Sequence, residues 1–191
     1  LEEAVEKLNV LMNKIDCGNA SDLIRVGALI LASVCYQQLN QLKKSKELVD
    51  EAGKILSGKE YMPRYTKAYT AYIIRRVSLL EHNKEYLEVI EVCSMMIDYM
   101  IEMASYERSH YFFFYLALAH MHEGNTEATR KWLTKALYAA NLKHKPDDMY
   151  IMSRKSGFYD LLDGNIVSKD VIDHFYEMYP FIKTGKSPYE N

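Results

Sequence analysis

Around three short turns in this chain the same arrangement of side chains returns. The turns centre on Asn40, Lys84 and Gly124. Seven residues before each lie Ser33, Val77 and Ala117, and five after each lie Ser45, Val89 and Thr129. Twelve after each lie Ala52, Met96 and Ala136. Ala4, with Leu8 and Leu11, reads as the second helix of a further unit. Equivalent positions from Ala4 through Ser45 and Val89 to Thr129 are then 41, 44 and 40 residues apart. Small side chains at a helix crossing allow close approach, and larger apolar ones a turn away fill the groove. A lone helical hairpin cannot bury its apolar faces, so neighbours stack and the array becomes a superhelix.

The apolar spacing supports this reading. Steps of three and four residues predict helices over 2–16, 21–39, 42–56, 63–81, 85–103 and 107–122, and from the Gly124-Asn125 turn to 142. Ser21 or Asp22 is expected to cap the second of them, and Pro63 to stand in the first turn of the fourth. No segment alternates strictly over a strand's length, so the fold class is all-α, with sequential helices antiparallel. Beyond Lys143 the texture changes, and short helices are expected at 147–155, 156–162 and 169–178. The expected domains are repeats over 1–143, C-terminal capping helices over 144–180 and a tail over 181–191.

Bulk properties narrow the function. With 8 Gly, 4 Pro and a net charge of -2 in 191 residues, the chain has the composition of a folded domain. It lacks the cationic excess that grips a phosphate backbone, so no direct nucleic-acid contact is expected. Lys43, Lys44 and Lys46 form a small basic run, but Glu47, Asp50 and Glu51 dilute it. Cys17, Cys35 and Cys93 are odd in number and far apart, which reads as buried thiols in a reducing cytoplasm. The apolar runs over 23–35 and 111–121 fall short of the roughly 20 residues a bilayer requires, so no membrane partner is expected. The opening Leu-Glu-Glu-Ala carries no signal-peptide pattern. A start without Met reads as a processed form or a fragment.

Catalytic and metal signatures are missing. There is no Walker loop, GxGxxG, GxSxG or HExxH. His120 and His122 are two apart on a helix and point about 200° away from each other, which does not suit one shared ion. Asp160, Asp163 and Asp170 match no calcium loop. Cys93 and His110 could pair only through folding, with no orienting third group, and Cys93 reads better as a core residue. Neither enzyme activity, metal nor cofactor is expected.

The stretch 110–142 resembles a tetratricopeptide repeat. Phe113, Leu116 and Ala117 match its first helix, Gly124 its turn and Ala136-Leu137 its closing pair. Thr129 stands in place of alanine, Leu133 in place of an aromatic and Asn141 in place of proline. Residues 29–56 match through Ser33, Tyr36, Ser45, Val49 and Ala52, and residues 73–100 through Val77, Tyr86 and Val89. The steps exceed the repeat's usual length of about 34 residues. The resemblance implies a right-handed superhelix of antiparallel helical hairpins. Longer, degenerate units of this sort look like the C-terminal domains of Gram-positive peptide-sensing transcription regulators. Those dimerise and hold a short peptide on the concave side, behind a DNA-binding helix-turn-helix.

In such an array the first helix of each pair lines the inner surface. That places Ile30, Val34, Gln37 and Gln38 inward, then Ala71, Ile74, Ser78 and Glu81, then Tyr111, Phe114, Leu118 and Met121. The competing reading makes the same residues ordinary core. The candidate peptide-binding set is Gln37, Gln38, Ile74, Arg75, Ser78, Glu81, Tyr111, Phe114 and Met121. Arg64, Lys67 and Arg75 fall near one face, with Arg76 beside it. That face is either a carboxylate clamp or a solvated surface paired with Glu81 or Glu85. The expected function is a non-catalytic binding and regulatory module for a peptide or protein segment. The alternative is a ligand-free structural adaptor or homodimerisation domain.

Overall fold

A computed structural model of the chain describes residues 6, 7, 10, 21–106 and 108–142. From Ser21 on, the described residues form α1 (Asp22–Gln38), α2 (Leu42–Leu56), a 3-10 turn (Pro63–Tyr65), α3 (Thr66–His82), α4 (Tyr86–Glu102), α5 (Ser109–His122) and α6 (Thr126–Leu142). No strand occurs among them, so the fold is all-helical. Glu6, Lys7 and Val10 are helical and exposed. The remainder of the expected 2–16 helix, Cys17, the capping helices over 144–180 and the tail over 181–191 lie outside the described residues. The chain separates into two compact units, Leu1–Leu79 and Leu80–Asn191, a division inside α3.

The three matched turns share one geometry. Asn40, Lys84 and Gly124 have φ of 59°, 63° and 74°. The amide after each donates back to Tyr36, Leu80 or His120 carbonyl oxygen at 2.8, 2.9 and 2.8 Å. Their own amides donate to Gln37, Glu81 and Met121 at 2.8, 2.9 and 3.1 Å. This paired closure satisfies the orphan carbonyls of a helix C-terminus and requires the left-handed backbone that glycine adopts freely. The amides of Ser45, Val89 and Thr129 then open the next helix, donating to Gln41, Glu85 and Asn125 at 3.0, 3.0 and 2.9 Å. All nine matched positions are buried: Ser33, Val77 and Ala117 before the turn, and Ser45, Val89, Thr129, Ala52, Met96 and Ala136 after it.

In the first unit α1 packs on α2. Val26 and Leu29 of α1 meet Ala52 and Leu56 of α2 and Tyr65 of the 3-10 turn, and Ala68, Tyr69 and Tyr72 of α3 close over them. Gly53 permits the α3 contact: a Cβ there would stand 2.6 Å from Tyr72 Oη. Pro63 does start a helical turn, but a 3-10 one ahead of α3. Ser21 occupies the N-cap position of α1 without a side-chain capping bond. Asp22 is drawn elsewhere. It accepts from Lys59 Nζ at 2.7 Å and from Tyr65 Oη at 3.4 Å, while Lys59 Nζ also donates to Ile55 carbonyl oxygen at 2.8 Å. The start of α1 is thereby tied to the link after α2.

In the second unit α5 packs on both α4 and α6. Phe112, Phe113, Leu116 and Ala119 of α5 are fully buried, as are Val89, Cys93, Met96 and Met100 of α4. Phe113 stacks against Trp132 of α6, with ring centroids 5.8 Å apart. Asn125 Oδ1 caps α6 by accepting from the Ala128 amide at 3.0 Å.

Candidate functional site

Each first helix of a pair carries a stripe that the core does not absorb. On α1, Ile30, Val34 and Gln37 are half-buried and Gln38 is exposed. On α3, Ala71, Ile74, Ser78 and Glu81 are half-buried. On α5, Tyr111 and Phe114 are 40% and 43% exposed, and Leu118 and Met121 are half-buried. Steps of three and four residues keep each set on one face. None of these twelve side chains is buried, whereas all nine matched repeat positions are. The stripes are apolar with two amides, the hydroxyls of Ser78 and Tyr111 and the Glu81 carboxylate. The side-chain nitrogens of Gln37 and Gln38 donate to no described residue.

Arg75 departs from its expected setting. It is 6% exposed and lies inside the crossing of α1, α2 and α3. Its Nε donates to Ser33 Oγ at 2.7 Å, and its Nη2 donates to Ser33 carbonyl oxygen and Ser45 Oγ, both at 2.9 Å. Nη1 donates to Gln37 Oε1 and, at 3.4 Å, to Ser78 Oγ. Ser45 Oγ donates to Ser33 carbonyl oxygen at 2.8 Å. The arginine fork thus sits behind Gln37 and Ser78 and fixes both from beneath. The other basic residues separate: Arg64 lies over the Tyr65 ring at 4.8 Å, Lys67 is exposed and Arg76 is half-buried. Glu85, read as a partner of this face, instead accepts from Asn83 Nδ2 at 3.0 Å.

Pattern reading passed over this network because α3 buries two stripes. Thr66, Thr70, Ile73 and Val77 form one, and Arg75 with Leu79 the other. A single amphipathic face assigns the arginine to solvent. The usable signal was the pair of serines, Ser33 and Ser45, standing at matched positions before and after the first turn. Two buried hydroxyls at one crossing call for a donor.

The remaining polar groups are held apart. His122 stacks flat on Tyr86, centroids 4.2 Å apart and planes within 4°. His110 lies against Tyr111 at 4.2 Å. Burial holds the half-buried His120 below its ordinary value, with Glu123 opposing. Burial also pushes the Cys93 thiol far up, which leaves it without thiolate character. Among the described residues no group of three or more His, Cys, Asp or Glu is placed to hold a metal ion. No described helix is long and apolar enough to cross a membrane. Comparison with protein-family models, with curated proteins and with solved structures finds no match to this chain.

Proposed function

We propose that this chain is a non-catalytic binding and regulatory module. Its helical pairs are tetratricopeptide-like, and the stripes on α1 and α3, and separately that on α5, each offer a face to a peptide or protein segment. The observation that carries the reading is the contrast in burial: the matched repeat positions form the core, and the twelve projected inward positions do not. Aromatic and aliphatic side chains on α5 supply anchors, and the amides of Gln37 and Gln38 supply donors for a ligand backbone. The sensor domain of a transcription regulator is the setting in which such a module would act.

The experiment is selection from a displayed library of random peptides, followed by calorimetric titration of the enriched sequences. Binding is expected to saturate and to weaken at least about tenfold in Phe114→Ala and in Ile74→Asp, since anchor truncations commonly cost this much. Enriched peptides that bind both variants as well as the parent chain would refute the reading.

A further inference from the structure

We infer that the solvent face of α4 is a docking surface for a cationic amphipathic helical segment of a partner protein. Across Tyr86–Glu102 there are four carboxylates, Glu88, Glu91, Asp98 and Glu102, and no lysine, arginine or histidine. Leu87, Glu91, Ser94, Met95, Asp98 and Glu102 are all exposed. At 3.6 residues per turn they fall in one stripe, about a third of the helix circumference wide.

Two independent observations separate this stripe from a solvated acidic face. The first is apolar: Leu87 is 71% exposed and Met95 is 47% exposed. Single exposed apolar residues are ordinary, but these two lie eight residues apart on one stripe, about 12 Å along the axis. The second is electrostatic. Among the described residues, the side chains of Glu91, Asp98 and Glu102 have no ion pair or hydrogen bond. The equivalent helices differ. The acids of α2 lie among Lys43, Lys44, Lys46 and Lys54, and Glu51 meets Arg25 at 3.9 Å. The exposed face of α6 carries Arg130 and Lys131. The acidic character therefore belongs to α4 and not to the repeat.

The chemistry of the stripe selects its occupant. Two apolar anchors two turns apart match the i, i+7 or i+8 spacing of an amphipathic helix. Carboxylates between and beyond them match lysines or arginines one turn from each anchor. A second copy docked through its own α4 would set carboxylates against carboxylates, and an anionic bilayer would be repelled.

The test uses the full chain and a fluorescein-labelled 18-residue Lys/Leu peptide with leucines at helical spacing. A scrambled peptide of equal composition and a Glu/Leu peptide of reversed charge serve as controls. Anisotropy is expected to show saturable one-to-one binding that weakens from 50 to 300 mM salt. The scrambled peptide should bind at least tenfold more weakly, as should two double variants, Leu87→Ser with Met95→Ser and Glu91→Lys with Asp98→Lys. Circular dichroism of each variant should match the parent, because the four side chains are exposed. Absence of binding, equal binding by the scrambled or Glu/Leu peptide, or unchanged affinity in either variant would overturn the inference.

Discussion

Arg75 grips Ser33 twice, donating from Nε to its hydroxyl at 2.7 Å and from Nη2 to its carbonyl oxygen at 2.9 Å. Ser33 lies on α1 and Arg75 on α3, and Ser45 of α2 joins them through the same Nη2. A buried arginine bonded to three helices sets their relative placement. Arg75→Met fills similar space but strips the donors from these oxygens. The expected loss is roughly 2–4 kcal/mol, because each buried acceptor left unmet costs about 1–3 kcal/mol. Urea denaturation of the variant measures it. Ser33→Ala alone should cost about 1 kcal/mol, and the two losses should not add, since the residues are in direct contact.

Lys84 and Ala104 carry left-handed backbones, with φ of 63° and 48°. A side chain with Cβ is disfavoured there by roughly 1–2 kcal/mol. Lys84→Gly and Ala104→Gly should each therefore stabilise the fold by about 0.5–1 kcal/mol after the unfolded-state entropy of glycine is deducted. Gly124→Ala, at a φ of 74°, should destabilise by a similar amount. Thermal melts of the three variants provide the check.

Gly27 and Gly53 both lie within helices, in different surroundings. Nothing stands within 4 Å of a Cβ at Gly27, whereas a Cβ at Gly53 meets Tyr72 Oη at 2.6 Å. Gly27→Ala should gain the helix-propensity difference of about 1 kcal/mol. Gly53→Ala gains the same propensity but displaces the Tyr72 ring, so its net effect should be at least 1 kcal/mol worse, on the order of overpacking costs. Unfolding midpoints of the two variants decide the comparison.

Two groups give the stability a defined pH dependence. The hydrogen bond from Lys59 holds the Asp22 carboxyl below its ordinary 3.8, with desolvation opposing. Its contribution is present above 3.8 and is lost as pH falls through the lower folded value. Asp22→Asn should remove that part of the acid slope. Burial holds His120 below 6.5, so the unfolded chain takes up the proton first and stability falls as pH drops below 6.5. His120→Gln should flatten the curve there. Stability titrated from pH 8 to pH 3 separates the two contributions.

Cys93 is fully buried and Cys35 is half-buried. In the native chain, Cys93 should react with a thiol-specific disulfide reagent at the rate of unfolding, whereas Cys35 should react faster. Mass spectrometry of the time course assigns each site.

Most of the helical framework between Ser21 and Leu142 was legible because it rests on local rules. Apolar spacing and the turn residues placed six helices within two residues of their ends, apart from the 3-10 turn ahead of α3. The equivalence of Asn40, Lys84 and Gly124 was readable too, although only one of them is a glycine. Ser21 stands at the N-cap position as the sequence allowed, but it makes no side-chain capping bond, and the Asp22 carboxylate instead accepts from Lys59, 37 residues away. Arg75 was misread because its partners Ser33 and Ser45 are 42 and 30 residues distant, and α3 is buried on two sides. The stripes on α1, α3 and α5 followed from repeat geometry, but their exposure depends on packing that periodicity does not encode.

The proposed ligand face is tested most directly by methyl-resolved NMR of the chain titrated with a library-selected peptide. Shifts are expected at Ile30, Ile74, Leu118 and Met121, with Leu56, Leu116 and Met96 of the core little changed. Perturbations confined to other methyl groups, or none at saturating peptide, would contradict the assignment of these stripes as the binding face.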